Sequence, residues 1–182
     1  TGSRGLGDVY KRQDLNGDGL DDMWLAVEES QTGQLFFQTK SGKFESPVKP
    51  LQNADRIGGT LFFDADADGD LDIYAISNVG LSISGFSEKT VAEPKAIFQD
   101  KIYFNDGVGN FTLSNAGLPE MPNAALFTIA GDYDADGDLD LFVSGYQATR
   151  HYPESPRSYL LENKKGKFNN VTEQGAPGLA EA

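Results

Sequence analysis

Three short stretches of this chain carry acidic side chains at alternate positions, followed by a glycine. Aspartate or asparagine occupies loop positions 1, 3, 5 and 9, and a glycine that permits a sharp turn occupies position 6. Carboxylates this close repel one another unless a cation lies among them. Oxygen-only ligands favour Ca²⁺ over Zn²⁺ or copper. The spacing therefore predicts about three Ca²⁺ sites, because it occurs three times.

The predicted ligands occupy the same five positions in each loop. They are Asp14, Asn16, Asp18, Leu20 and Asp22 in the first loop, Asp64, Asp66, Asp68, Asp70 and Asp72 in the second, and Asp132, Asp134, Asp136, Asp138 and Asp140 in the third. At position 7 we expect the backbone carbonyl of Leu20, Asp70 or Asp138 to be the ligand. The first loop is predicted to be the weakest, because Asn16 puts a neutral amide where the others have a carboxylate.

Two other interpretations of these loops are an EF-hand and an acidic turn without metal. An EF-hand has a bidentate glutamate at position 12 and a helix on either side of the loop. Position 12 here is Leu25, Ala75 or Val143, each within an apolar run typical of a strand, so the EF-hand is excluded. Acidic turns without metal remain an alternative, although repulsion among the carboxylates disfavours it.

The remaining sequence indicates a repeat with an all-β fold. Each loop leads into a short run rich in β-branched and aromatic residues, and an aromatic hairpin with a glycine turn follows. Another apolar run precedes the second and third loops. Four strands per unit, with the metal loop joining the first to the second, is the layout of a β-propeller blade. We expect partial blade 1 at 14–56, blade 2 at 57–118 with an insertion at 78–99, and blade 3 at 119–182.

Residues 1–13 do not follow this pattern. They lack alternation, and the segment from Asp8 to Gln13 resembles the translation of a sequencing-library adapter, although a native surface segment is the alternative. We interpret 1–13 as a non-native, adapter-derived segment and exclude it from the fold. The sequence then predicts no strand before the first loop, a chain that begins within a repeat, and a signal peptide that is not part of this fragment.

Composition excludes several classes of function. The 182 residues carry 15 Lys and Arg against 28 Asp and Glu, a net charge of −13. Nucleic-acid binding through a basic face is not expected, because neutralising phosphates needs clustered cations. No apolar run reaches the roughly 20 residues of a membrane helix, so no membrane insertion is expected. Cysteine is absent, which excludes disulfides and thiolate metal sites.

The sequence offers no constellation for catalysis. His151 is the sole histidine, no nucleophile motif accompanies it, and the paired carboxylates are already assigned to the cation loops. The insertion at 78–99 and the loop at 146–158 are interpreted as a surface loop and an inter-blade packing loop. A binding edge is the alternative for the insertion, and contact with an acidic partner or a sugar is the alternative for the loop at 146–158. We therefore predict neither catalytic residues nor an organic cofactor.

These units resemble FG-GAP/VCBS repeats, the calcium-loop blades of integrin α-subunit propellers and of many bacterial surface proteins. The stretches that carry the resemblance are Leu61 to Asp64, Asp70 to Tyr74, Ile102 to Gly107 and Gly109 to Phe111. Tyr152 to Leu161 and Val171 to Leu179 are similar to the cartilage-acidic-protein-like (ASPIC/UnbV) branch. The resemblance implies a partial propeller of four-stranded antiparallel blades, a fragment of a seven- or eight-bladed ring.

The resemblance also implies an extracellular or cell-surface protein used for adhesion or ligand binding. We expect a non-enzymatic scaffold that binds a protein or glycan and contacts neighbouring blades of a longer chain. An accessory propeller of an extracellular polysaccharide-active enzyme and a carbohydrate-binding module are the alternatives. Because an open arc of blades leaves apolar faces uncovered, we expect the isolated fragment to be marginally stable or to self-associate.

Overall fold

A computed structural model describes residues 12–25, 33–46, 49–54, 57–77, 99–114, 117–121, 124–147 and 157–180. These residues form three antiparallel sheets of four strands, and in each sheet the strands are neighbours in chain order. Two single-turn helices follow the last sheet. The predicted all-β, blade-like architecture is confirmed.

The three sheets are named blades 1, 2 and 3 in chain order. Blade 1 contains β1 (Arg12–Gln13), β2 (Asp22–Leu25), β3 (Gln34–Gln38) and β4 (Phe44–Glu45). Blade 2 contains β5 (Ile57–Phe63), β6 (Asp72–Ser77), β7 (Lys101–Asn105) and β8 (Phe111–Ser114). Blade 3 contains β9 (Ala124–Gly131), β10 (Asp140–Gln147), β11 (Tyr159–Lys164) and β12 (Lys167–Asn170), followed by α1 (Thr172–Gly175) and α2 (Pro177–Ala180).

Blade 2 is packed on both faces, and β6 shows how its sequence allows this. All six residues of β6 are buried, because alternate side chains point into two different cores. Ile73 and Ala75 join the core shared with blade 1. Tyr74 and Ile76 join the core shared with blade 3. A continuous apolar run therefore forms a central strand here, rather than a strand with one solvated face.

Strand pairing aligns the three blades residue by residue. In each blade the second and third strands pair at equivalent positions, which are Trp24 with Leu35, Tyr74 with Ile102, and Phe142 with Leu160. The third and fourth strands pair through Gln38 with Phe44, Asn105 with Phe111, and Asn163 with Phe168. This common register makes it possible to compare one position across all three blades.

One prediction about the start of the chain is wrong. Arg12 and Gln13 form a strand before the first loop and pair with Met23 and Asp22 of β2. Antiparallel backbone pairing does not require alternating side chains, so the lack of alternation in 1–13 gave no sign of it. Residues 1–11, the insertion at 78–98 and the loop at 148–156 lie outside the described residues. The predicted adapter origin and the blade boundaries remain predictions.

Candidate metal centres

Each predicted metal loop joins the first strand of its blade to the second. The loops lie between β1 and β2, β5 and β6, and β9 and β10. The position-12 residues Leu25, Ala75 and Val143 lie in β2, β6 and β10. The loops are therefore flanked by strands, as predicted, and not by the helices of an EF-hand.

The aspartate at position 1 holds each loop in its turn. In the second loop, Asp64 Oδ1 accepts a hydrogen bond from the backbone N–H of Asp68 at 3.2 Å. Its Oδ2 accepts one from the N–H of Gly69 at 3.0 Å. Asp14 and Asp132 accept the equivalent bonds in their own loops. The glycine at position 6 has φ of 83°, 97° or 98°, a left-handed conformation that glycine adopts without steric cost.

The aspartate at position 9 is buried and links the loop to the third strand of the blade. Asp72 accepts hydrogen bonds of 2.8 Å from the N–H of Ala65 in the loop and from the N–H of Asn105 in β7. Asp22 and Asp140 accept the corresponding pairs. Burial raises the pKa of Asp72 to about 6, although both backbone N–H groups oppose the shift. Position 9 therefore has a structural role besides its predicted role as a ligand.

Carboxylates at positions 1, 3 and 9 converge in the second and third loops. Asp64, Asp66 and Asp72 each direct an oxygen to within 4.8 Å of the others, and Asp132, Asp134 and Asp140 do the same. This set of oxygen donors is of the kind that Ca²⁺ takes. The first loop lacks the third carboxylate at this point, because Asn16 stands at position 3.

The environment of the Asp66 side chain is the observation that most strongly favours a cation. Its Oδ1 is buried and has no hydrogen-bond partner among the described residues. Burial raises the pKa of Asp66, and the nearby Asp68 and Asp64 charges raise it further. A buried, unpaired carboxylate oxygen is costly unless a cation or a donor reaches it. The donor set of the second loop therefore fits Ca²⁺.

Positions 5 and 7 serve the loop in other ways. The carboxylates of Asp18, Asp68 and Asp136 accept hydrogen bonds from the N–H of position 7. At position 7, the side chain of Asp138 accepts a hydrogen bond from the N–H of Lys165, in the hairpin turn of the same blade. Ligation by the carbonyl groups of position 7 remains a prediction.

Two asparagines that sequence reasoning missed each connect one metal loop to the following blade. Asn105 Nδ2 donates to the carbonyl of Leu15, in the loop of blade 1, at 2.8 Å. Asn163 Nδ2 donates to the carbonyl of Ala65, in the loop of blade 2, at 2.7 Å. Both residues lie just before a hairpin turn, and this shared position is the feature of the sequence that could have identified them.

The hairpin turns of blades 2 and 3 each cover the metal loop of the blade before them. Gly109 lies against Asn16 and Phe37 of blade 1, and Gly166 lies against Asp66 and Phe104 of blade 2. Residues 132–137 of the third loop are exposed. The first two loops therefore lie within blade interfaces, whereas the third is open to solvent.

A cleft of about 480 Å³ lies beside the first loop. Its walls include the Phe37 ring and the polar side chains of Asp18, Gln38, Glu45 and Asn110. An aromatic ring flanked by carboxylates and amides can contact both the apolar face and the hydroxyl groups of a sugar.

Among the described residues, the structure contains no helix long and apolar enough to span a bilayer.

Comparison with known proteins agrees with this geometry. Residues 14–75 match the family model described as FG-GAP-like repeat. No curated protein matches the chain. The match includes the first two metal loops, and repeats of this kind are typical of extracellular β-propeller scaffolds. The resemblance to the ASPIC/UnbV branch is not confirmed by this comparison. Residues 14–75 are therefore an FG-GAP-like repeat.

Proposed function

We propose that this protein is a Ca²⁺-stabilised, non-enzymatic scaffold of a secreted or cell-surface protein, used for adhesion or ligand binding. The single observation that carries the calcium assignment is the second loop. There, three aspartates converge within 4.8 Å, and Asp66 Oδ1 is buried without a hydrogen-bond partner among the described residues. A cation at this point would compensate both the repulsion and the missing contact.

The role proposed for Ca²⁺ is to fix the geometry between blades. The second loop contacts blade 3 through the Ala65 carbonyl and through Asp66, and the first loop contacts blade 2 through the Leu15 carbonyl. A cation that stiffens a loop therefore also stiffens the surface on which the next blade packs. The third loop has the same carboxylates at an exposed site, so we expect it to bind more weakly.

Extracellular calcium modules bind with Kd on the order of 10⁻⁴ to 10⁻³ M. Stabilisation by ligand linkage at ten times Kd is about 1.4 kcal/mol per site. We expect the unfolding temperature to rise with millimolar Ca²⁺ and to respond less to Mg²⁺, which demands a stricter octahedral shell. Differential scanning calorimetry in EGTA, CaCl₂ and MgCl₂ tests this, with isothermal titration calorimetry to count sites. Superimposable melts and no binding heat would overturn the calcium assignment.

A second candidate function is carbohydrate binding, and the cleft beside the first loop supports it. The exposed Glu45 and the half-buried Phe37 ring line that cleft. A glycan array probed with the chain and with the Glu45→Ala variant tests the assignment. Binding that the variant loses supports this candidate, and an array without signal excludes it for the glycans displayed.

The proposal that the chain is not an enzyme rests on the assignments of its carboxylates. The aspartates that could act in pairs accept backbone hydrogen bonds within the loops, and position 9 is buried. A role as the accessory propeller of a polysaccharide-active enzyme remains the alternative, with catalysis in another domain. Assay of the chain against soluble acidic and neutral polysaccharides tests this, and turnover would overturn the proposal.

A further inference from the structure

The three metal loops are joined by one continuous path of buried hydrogen bonds, and Asp72 lies at its centre. Each carboxylate oxygen of Asp72 accepts a bond from a different direction. Oδ1 accepts from the N–H of Asn105 and Oδ2 from the N–H of Ala65, both at 2.8 Å. A carboxylate oxygen has two acceptor sites, so each of these bonds leaves a lone pair for a cation.

The path runs from Asn105 to the position-9 aspartate of the first loop. Asn105 Nδ2 donates to the carbonyl of Leu15 at 2.8 Å. The N–H of Leu15 in turn donates to Asp22 Oδ2 at 2.8 Å. Two predicted ligands in different blades, Asp22 and Asp72, are therefore joined through only two intervening residues.

The path reaches the third loop in the same way. Asn163 Nδ2 donates to the carbonyl of Ala65 at 2.7 Å, and the N–H of Asn163 donates to Asp140 Oδ1 at 2.8 Å. Every residue of the path is buried, so bulk water competes little for these bonds. The residues of the path are called the inter-loop network and are Asp22, Leu15, Asn105, Asp72, Ala65, Asn163 and Asp140.

Order at one loop should pass through this network to the next loop. A cation that holds Asp72 among the carboxylates of the second loop would fix the acceptor of the Asn105 N–H. The Asn105 side chain would then hold the carbonyl of Leu15, which lies between the predicted ligands Asp14 and Asn16. The first ion therefore orders part of the second site, and the second ion binds with a smaller loss of conformational entropy.

We propose that the inter-loop network couples the three metal loops, so that they bind Ca²⁺ with positive cooperativity, and that Asn105 and Asn163 are the positioning residues that transmit the coupling. The proposal rests on the calcium sites of the proposed function and adds their dependence on one another. Repulsion between bound ions acts in the opposite sense, and salt screens it. Each pair of adjacent loops should gain about fivefold or more in affinity, the usual scale of coupling between sites.

Variants that disable single loops measure the coupling without any change to the network. Asp18→Ala, Asp68→Ala and Asp136→Ala each remove both oxygens of a predicted ligand at position 5, which is exposed in all three loops. The Asp136→Ala protein retains loops 1 and 2, and adding Asp68→Ala or Asp18→Ala leaves one loop. Isothermal titration calorimetry with CaCl₂ gives the association constants.

The coupling ratio compares the two-loop protein with the two single-loop proteins. It is the product of the two Ca²⁺ association constants in the former, divided by the product of the constants of the latter. We expect a ratio of about five or more for loops 1 and 2, and likewise for loops 2 and 3, for which Asp18→Ala is the parent variant.

Asn105→Ala and Asn163→Ala then test the path, and each is the control for the other. Asn105→Ala should lower the ratio for loops 1 and 2 to about one and leave the ratio for loops 2 and 3 unchanged, because it breaks only the first half of the network. Asn163→Ala should do the reverse. Circular dichroism and thermal melts check the folding of both, and the loop variants decide the coupling even where one of them does not fold.

The possible failures are distinguishable. Ratios of about one with the network intact would overturn the proposal while leaving the calcium assignment in place. A lack of binding heat in every protein would overturn the calcium assignment itself, and the coupling with it. Ratios that neither asparagine variant changes would show that the network does not transmit the coupling.

Discussion

Asn163 Nδ2 donates a hydrogen bond of 2.7 Å to the backbone carbonyl of Ala65, which lies 98 residues earlier in the chain. The same amide group donates to the carbonyl of Leu139 at 2.9 Å, in the third loop. One buried side chain thus joins the metal loops of blades 2 and 3. Asn105 makes the equivalent pair of bonds to Leu15 and Leu71, so the connection is a repeated feature of the interface.

Replacing Asn163 with alanine should destabilise the protein strongly. The substitution leaves the carbonyl groups of Ala65 and Leu139 without this donor and removes the acceptor for the N–H of Gly166. We expect a loss of about 2–4 kcal/mol in the free energy of unfolding, measured by urea denaturation. Asn169→Ala, on an exposed position of β12, is the control and should change it by less than about 0.5 kcal/mol. Equal effects of the two variants would contradict this role for Asn163.

Alanine variants of two glycines with the same backbone conformation should separate the cost of backbone strain from the cost of disturbed packing between blades. Gly166 and Gly42 have φ of 82° and 78°, so alanine at either site costs about 1 kcal/mol of backbone strain. A Cβ on Gly166 would also meet the Phe104 ring at 2.8 Å and the Asp66 Cβ at 3.1 Å. We expect Gly166→Ala to lose about 1–3 kcal/mol more than Gly42→Ala. The measurement is urea denaturation at a protein concentration low enough to keep the chain monomeric, and similar losses would be the contrary result.

The Asp66→Asn substitution should raise the stability of the protein without Ca²⁺ and lower it when Ca²⁺ is present. Without metal, the variant should be more stable than the wild type, because the substitution removes a negative charge whose Oδ1 is buried without a hydrogen-bond partner among the described residues. With Ca²⁺ at ten times Kd, the loss of one site removes about 1.4 kcal/mol of linkage stabilisation. Thermal melts in EGTA and in CaCl₂ measure both effects.

Asp134→Asn is the matched control for this change of sign, because it alters the same loop position at an exposed site. We expect it to reduce the response to Ca²⁺ while giving a smaller gain in EGTA. An Asp66 variant that is less stable than the wild type under both conditions would show that the carboxylate has a structural role without a cation.

Asp100 should make stability depend on pH around neutrality. Its carboxylate is buried and accepts hydrogen bonds from the Tyr74 hydroxyl at 2.6 Å and the N–H of Ser77 at 2.8 Å. Burial raises its pKa from 3.8 to about 7, opposed by these bonds and by the charge of Lys101. Between these two values the folded state holds the proton that the unfolded state releases. The contribution of Asp100 to stability is therefore present at low pH and is lost as the pH rises toward 7.

The variant Asp100→Asn isolates this contribution. We expect the wild type to lose up to about 1.4 kcal/mol per pH unit through this group between pH 4 and 7, and the variant to lack that slope. Urea denaturation without Ca²⁺ at several pH values measures the difference, in which the shared effect of Asp72 cancels. Asp21→Asn, at an exposed position, should keep the wild-type slope. Parallel curves for the wild type and Asp100→Asn would contradict the assignment.

Local sequence pattern determined the type and order of the elements. The spacing of Asp64, Asp66 and Asp72 specified a turn with converging carboxylates, and the apolar run after each loop specified a strand. Both signals lie within about ten residues, because a loop ligand set and the strand that follows it are close in the chain. The short strand Arg12–Gln13 was missed because its evidence is backbone pairing with β2, not side-chain alternation.

Tertiary structure alone decided which of these residues are buried and what they contact. Asp66 and Asp134 stand at the same loop position, yet Asp66 is covered by the hairpin turn of the next blade and Asp134 is exposed. Asn105 and Asn163 lie next to hairpin turns in the sequence, but each connects two loops across a blade interface. The sequence by itself set the carboxylate spacing and the strand pattern, because both depend on near neighbours. Burial and the bonds between blades depend on chain segments tens of residues apart, which only packing brings together.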